Sequence, residues 1–227
     1  MKNFVLNLSV VFALLTMVSC QKEIVKPNEL DGQTQTLDGR KPSTTCTDYF
    51  YYYNDMPSAL GQVNLNQIII GFEDGLSLQE KQNFIANYTF LDSIIYNSTS
   101  GSADVTTVTL KPGLTCLDVE NNLKLLAQQA GVRYANPTFK PAGSVYEYLG
   151  VTNQFLVTLK STASYTDLQQ LATKTKTQIV GQLYGQTYIL SAVKTSNGNA
   201  LEMANYFHTN SKVEYAEPDF LMVMPQL

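Results

Sequence analysis

Val213-Glu214-Tyr215-Ala216-Glu217-Pro218-Asp219-Phe220 has an earlier counterpart in the same chain, Val132-Arg133-Tyr134-Ala135-Asn136-Pro137-Thr138-Phe139. A second pair precedes them: Asn66-Gln67-Ile68-Ile69-Ile70-Gly71-Phe72 aligns with Asn153-Gln154-Phe155-Leu156-Val157-Thr158-Leu159. The Asn-Gln segments open a unit and the Tyr-Ala segments close it. An internal repeat outranks any local reading, because one unit must then explain both copies. Two copies are too few for a solenoid, so each is expected to bury its own core.

Each copy reads as β-α-β-β-α-β. In the first, Gln67–Phe72 is an apolar strand, and Ser77-Leu78-Gln79-Glu80 is a capping box before Phe84, Ile85 and Tyr88. Ser93–Tyr96 and Val105–Leu110 are strands around a Ser/Gly/Thr loop. Thr115 and Asp118 cap a second helix with Val119, Leu123 and Leu126 inward; Gly131 stops it, and Val132–Ala135 is the last strand. The second copy repeats the order: strand Phe155–Leu159, a helix capped by Ser164 and Asp167, strands Ile179–Leu183 and Thr187–Val193, a helix capped by Asn199, and strand Val213–Ala216. Ahead of both, Asp48–Tyr53, a turn at Asn54–Pro57 and Ser58–Val63 predict a tyrosine-rich β-hairpin. The expected class is α+β, with two tandem ferredoxin-like domains at residues 66–142 and 150–227 and the hairpin at 46–65.

Composition narrows the function. The chain has 227 residues, 44% hydrophobic and 15% charged, enough apolar material for packed cores. Its net charge of −4 provides no basic field for nucleic acid. One His and three Cys leave little for a metal centre or a Cys/His nucleophile pair, so no catalytic residue, metal or small-molecule cofactor is expected. His208, beside Phe207, reads as a surface or half-buried helix residue. The tyrosines of the hairpin read as sheet packing rather than as a stacking platform for bases or sugars.

The N-terminus reads as an address. Met1-Lys2-Asn3 is a short positive start, Phe4–Val18 is largely apolar, and Ser19-Cys20 follows. The run is short for a membrane span and fits a signal-peptide core. Ser19-Cys20 resembles the lipobox of bacterial lipoproteins, with Met17 where that family usually carries Leu. The resemblance implies removal of residues 1–19, diacylglycerol and an N-acyl chain on Cys20, and a cell-envelope location. The outer membrane or surface of a Gram-negative bacterium is the expected place. Residues 20–45 carry Pro27, Gly32, Gly39 and Pro42 among polar residues and read as a tether. Cys46 and Cys116 then remain, and an exported chain permits a disulfide between them; the sequence leaves pairing open.

Val213–Phe220 resembles the closing strand of subtilisin-like serine protease propeptides, which are ferredoxin-like domains. The resemblance covers 153–227 well and 66–142 more weakly, where Asn136 replaces the acidic residue. The tyrosine-rich hairpin resembles a segment preceding propeptide-like domains in secreted Bacteroidetes proteins. In the propeptide family the sheet packs on two enzyme helices, an acidic residue caps their N-termini, and the tail lies in the substrate cleft. The resemblance therefore implies a subtilisin-like protease as partner, Glu217 as the cap with Asp219 beside it, and Leu221-Met222-Val223-Met224 as the cleft-binding tail. Pro225 follows that tail. No protease domain is expected within these 227 residues, since one His supplies no triad. Two functions are expected to compete: a lipoprotein that binds and inhibits, or chaperones, a protease in trans, and a structural or adhesion lipoprotein that reuses the fold. The second predicts Leu221, Met222 and Val223 packed on the sheet rather than free.

Overall fold

Side-chain caps decide where the helices begin. The computed structural model describes residues 45–98 and 104–225, so the expectations for residues 1–19 and Cys20, and nearly all of the tether, lie outside the described residues. The strands are β1 (Tyr49–Tyr53), β2 (Met56–Gly61), β3 (Gln67–Phe72), β4 (Leu91–Ser98), β5 (Val105–Leu110), β6 (Val132–Phe139), β7 (Tyr148–Leu159), β8 (Gln178–Tyr184), β9 (Thr187–Ser191) and β10 (Val213–Val223). The helices are α1 (Leu78–Ile85), α2 (Cys116–Ala127), α3 (Tyr165–Thr175) and α4 (Ala200–His208). Each helix carries a complete capping box, at Ser77/Glu80, Thr115/Asp118, Ser164/Asp167 and Asn199/Glu202. Each box satisfies backbone N–H groups that the first turn leaves without partners.

The chain is α+β, and its neighbouring strands pair antiparallel. β1 and β2 form the expected hairpin around a two-residue turn, Asn54-Asp55, both at positive φ. Asn and Asp tolerate that conformation, and such a turn matches the twist of the strands it joins. The other eight strands form one sheet, β4-β5-β3-β6-β7-β9-β8, with β10 on the remaining side of β7. Within each copy the strands lie in the same order, second, third, first, fourth: β4-β5-β3-β6 and β8-β9-β7-β10.

The expectation of separate cores is corrected. Alternate strand residues such as Ile70, Phe72, Phe155 and Val157 share one buried cluster with Leu123 of α2, Leu168 of α3 and Phe207 of α4. The cause is β7, which begins earlier than the expected Phe155. Its first residues pair with β6 (Thr138↔Gly150, Phe139↔Leu149), and its later ones pair with β9 (Gln154↔Ser191 to Thr158↔Thr187). β6 and β9 thus occupy successive parts of one edge of β7, and the two copies share a strand.

The sheet also curls. The Tyr148 hydroxyl of β7 donates to the Thr107 hydroxyl of β5 at 3.2 Å, although β3 and β6 lie between them. Three strand spacings would be about 14 Å on a flat sheet, too far for one tyrosine. A second, smaller core of Ile69, Val105 and Tyr134 fills the concave side, with Leu221 packed against it. Two glycines make the room: a Cβ at Gly71 would collide with the Tyr134 ring, and one at Gly150 with Ile69.

The hairpin lies across both copies. Tyr49 packs on Phe139 of β6, Tyr51 on Phe220 of β10, and Tyr52 stacks on His208 of α4 with ring centroids 4.1 Å apart. Cys46 and Cys116 form a disulfide, with Cα atoms 5.8 Å apart. Beyond it, the Thr47 N–H donates to the buried Glu120 carboxylate at 2.9 Å. The pairing that sequence left open is thus made by the fold, which brings the strap before β1 to the start of α2.

Candidate protein-binding face

In the second copy Phe155, Val157 and Leu159 face the helices and are buried. Strand alternation therefore turns Leu156 and Thr158 to the opposite face, which is only partly covered. The registers arrange that face in rows. Tyr215, Thr158, Thr187 and Tyr184 form one row across the four strands, and Glu217, Leu156, Ile189 and Gly181 form the next.

The first row is a network of hydroxyls. Thr158 and Thr187 are hydrogen-bonded at 2.7 Å. The phenols of Tyr184 and Tyr215, from opposite edges of this four-stranded part, come close enough to influence each other's ionisation. The interaction with Tyr215 holds the Tyr184 phenol above its ordinary pKa, while the interactions with Thr158 and then with Tyr184 hold Tyr215 below its own. The second row is a shallow apolar trough: Leu156 and Ile189 are half-buried, and the space over Gly181 is open. Glu217 stands at its β10 end, half-buried. Such a face offers a carboxylate beside apolar area, with tyrosines as an amphipathic rim, a composition suited to protein contact. Sequence reasoning singled out Glu217 but not Leu156, Ile189, Tyr184 or Tyr215, because residues drawn from four different strands give no local signal of a shared row.

The other expected site residues separate from Glu217. Asp219 is held by Thr152, whose hydroxyl lies 3.0 Å from the Asp219 carbonyl and 3.1 Å from its carboxylate. Asp219 is exposed as a residue, but partial desolvation of its carboxylate pushes its pKa above the ordinary value, with the Thr152 bond working in the other direction. The free tail is corrected: Leu221, Met222 and Val223 continue β10 and pair with Gly150, Leu149 and Tyr148. Leu221 and Val223 are half-buried, whereas Met222 and Met224 are exposed. The early start of β7 supplies the partner edge that the sequence did not reveal.

His208 is engaged by the hairpin, stacked on Tyr52 with Nε2 3.4 Å from the Asp55 carboxylate. Among the described residues no cluster of His, Cys, Asp or Glu is arranged to hold a metal ion, and no helix is long and apolar enough to cross a membrane.

Residues 148–219 match the family described as the fervidolysin N-terminal prodomain, a propeptide of the subtilisin-like protease kind. The matched stretch runs from the first residue of β7 to Asp219 in β10 and contains both rows of the face. No curated protein matches the chain.

Proposed function

We propose, from the prodomain match over 148–219 and the uncovered sheet face within it, that the chain is a non-catalytic binding protein for a separate subtilisin-like protease. In this reading the two copies are tandem ferredoxin-like units, and the second docks through the Tyr215 and Glu217 rows. Glu217 meets the N-terminus of an enzyme helix, where a carboxylate is favoured by the helix dipole. Cys20 carries a lipid anchor that holds the protein in the cell envelope, and residues 20–45 are its tether.

The paired tail favours docking or chaperoning over blockade of the cleft. Phe220–Val223 would have to leave four strand pairings, and Leu221 its packing, before the tail could enter a substrate groove. The same observation supports the second reading, a structural or adhesion lipoprotein in which this segment is simply a last strand. Titration of the purified full chain against subtilisin-like proteases separates the two. Docking predicts saturable capture that Glu217→Lys and Leu156→Asp weaken, with activity retained on small substrates. No capture of any such protease removes the docking reading.

A further inference from the structure

On the concave side, where the sheet curls, β4 and the end of β10 border a groove of about 760 Å³. β4 begins the strand order and β10 pairs with β7, so among the described residues each presents one edge outside the sheet's pairings. The walls carry exposed apolar side chains: Ile95 (52%), Tyr96 (43%), Met222 (57%) and Met224 (59%). Unprotected edges are pairing sites, and chains normally blunt them with charge, proline or bulges. β10 does so along 214–219 with Glu214, Glu217, Pro218 and Asp219, and bulges interrupt its pairing with β7 at 213/215 and 218/220. The stretch Phe220–Met224 has neither charge nor proline.

We propose that this groove receives an extended strand from a partner protein, added to the β10 edge at 220–224. Its apolar side chains enter the groove and its basic residues lie beside Glu147 and toward Asp219 and Glu217. Charge selects this occupant. Among the described residues Glu147 is the one charged residue lining the groove, and the next charges along β10 are all carboxylates. A second copy paired parallel and in register would set the same carboxylates opposite each other, which destabilises a strand pair, and one paired antiparallel would bring residues 220–227, which carry no basic residue to meet Glu147 or Asp219. Main-chain hydrogen bonds would supply affinity and the alternating side chains specificity. This site lies at the other end of β10 from the Tyr215 and Glu217 rows and does not depend on a protease docking there.

The test is a fluorescence titration of the purified full chain with a labelled probe of about eight residues, long enough for one strand. The probe alternates threonine with valine or isoleucine and carries a lysine at each end. Saturable binding is expected, weakened about tenfold or more by Met222→Asp and by Ile95→Asp, because either places a carboxylate against the apolar probe. Both positions are exposed, so the fold is retained, as circular dichroism checks. N-methylation of alternate probe amides abolishes binding, and a probe with a glutamate at each end binds more weakly. No saturable binding, equal binding of the N-methylated probe, or indifference to both substitutions overturns the proposal. So does a concentration-dependent dimer in sedimentation that Met222→Asp dissolves, since the occupant is then a second copy.

Discussion

Lys81 and Asp104 show what one buried pair asks of its neighbours. Lys81 has no exposed side-chain area, and its Nζ donates to the two Asp104 oxygens at 2.8 and 3.0 Å and to Asn97 Oδ1 at 2.9 Å. Three acceptors satisfy its three N–H donors, which offsets the desolvation of the charge. Asp104→Ala strands the ammonium and is expected to cost about 3–5 kcal/mol in urea unfolding. Lys81→Met combined with Asp104→Leu is expected to recover most of that loss. Asp219 gives a prediction of pH. Its folded pKa is raised by partial desolvation of the carboxylate, so its protonated form is favoured in the fold, and the associated stability is lost as pH rises through that value. Asp219→Asn therefore raises the melting temperature at pH 7, and the gain disappears below about pH 4, where an ordinary carboxylate protonates. Neither partnership was legible in the sequence: Lys81 sits on a helix that reads as amphipathic, and its partners come from strands that only the fold brings under it.

The elements themselves were largely legible. The boxes at Ser77, Thr115 and Ser164 were read with both partners, and the Asn199 cap was read as well, because capping is a local contact between residues three apart. The carboxylates of Glu80, Asp118 and Asp167 are held below their ordinary pKa by their boxes; for Glu80 and Asp118 the cap side chain is the larger cause, for Asp167 the backbone bond. Their contribution is present above the ordinary carboxylate pKa and is lost as pH falls through the lowered values, opposite in sign to Asp219. Strand ends were the weaker part. β7 starts at Tyr148 and β10 runs to Val223, because each gains hydrogen bonds from a partner remote in sequence. The strap before the hairpin is held by the Cys46–Cys116 disulfide across a separation of 70 residues. Closing a loop of that size restricts the unfolded chain, so Cys46→Ser is expected to lower stability by about 4 kcal/mol. Limited proteolysis near Thr47 should rise in the same variant.

For the whole molecule, the consequence of a shared β7 is cooperativity. Urea unfolding followed by tyrosine fluorescence and by far-ultraviolet circular dichroism is expected to give one coincident transition, since one buried cluster runs through both copies. Two separated transitions would mean that the copies fold independently. Removing residues 220–227 tests the same coupling from the other end. It strips the partner from Tyr148–Val151 and uncovers Ile69, Val105 and Tyr134. A loss of about 2 kcal/mol or more is expected, together with faster hydrogen exchange at 148–151.

The sequence by itself determined the repeated element order, the helix starts and the hairpin turn. Each rests on spacing within a few residues or on comparison of one copy with the other. Only the tertiary structure decided that the copies share one sheet and one core, that Cys46 meets Cys116, that Tyr184 and Tyr215 roof the face, and that the segment after Phe220 is a paired strand. The physical reason is that a β-strand's partners are set by the free edges and curvature of the assembled sheet. The local pattern of a strand states which of its faces is apolar but not which strand will lie beside it.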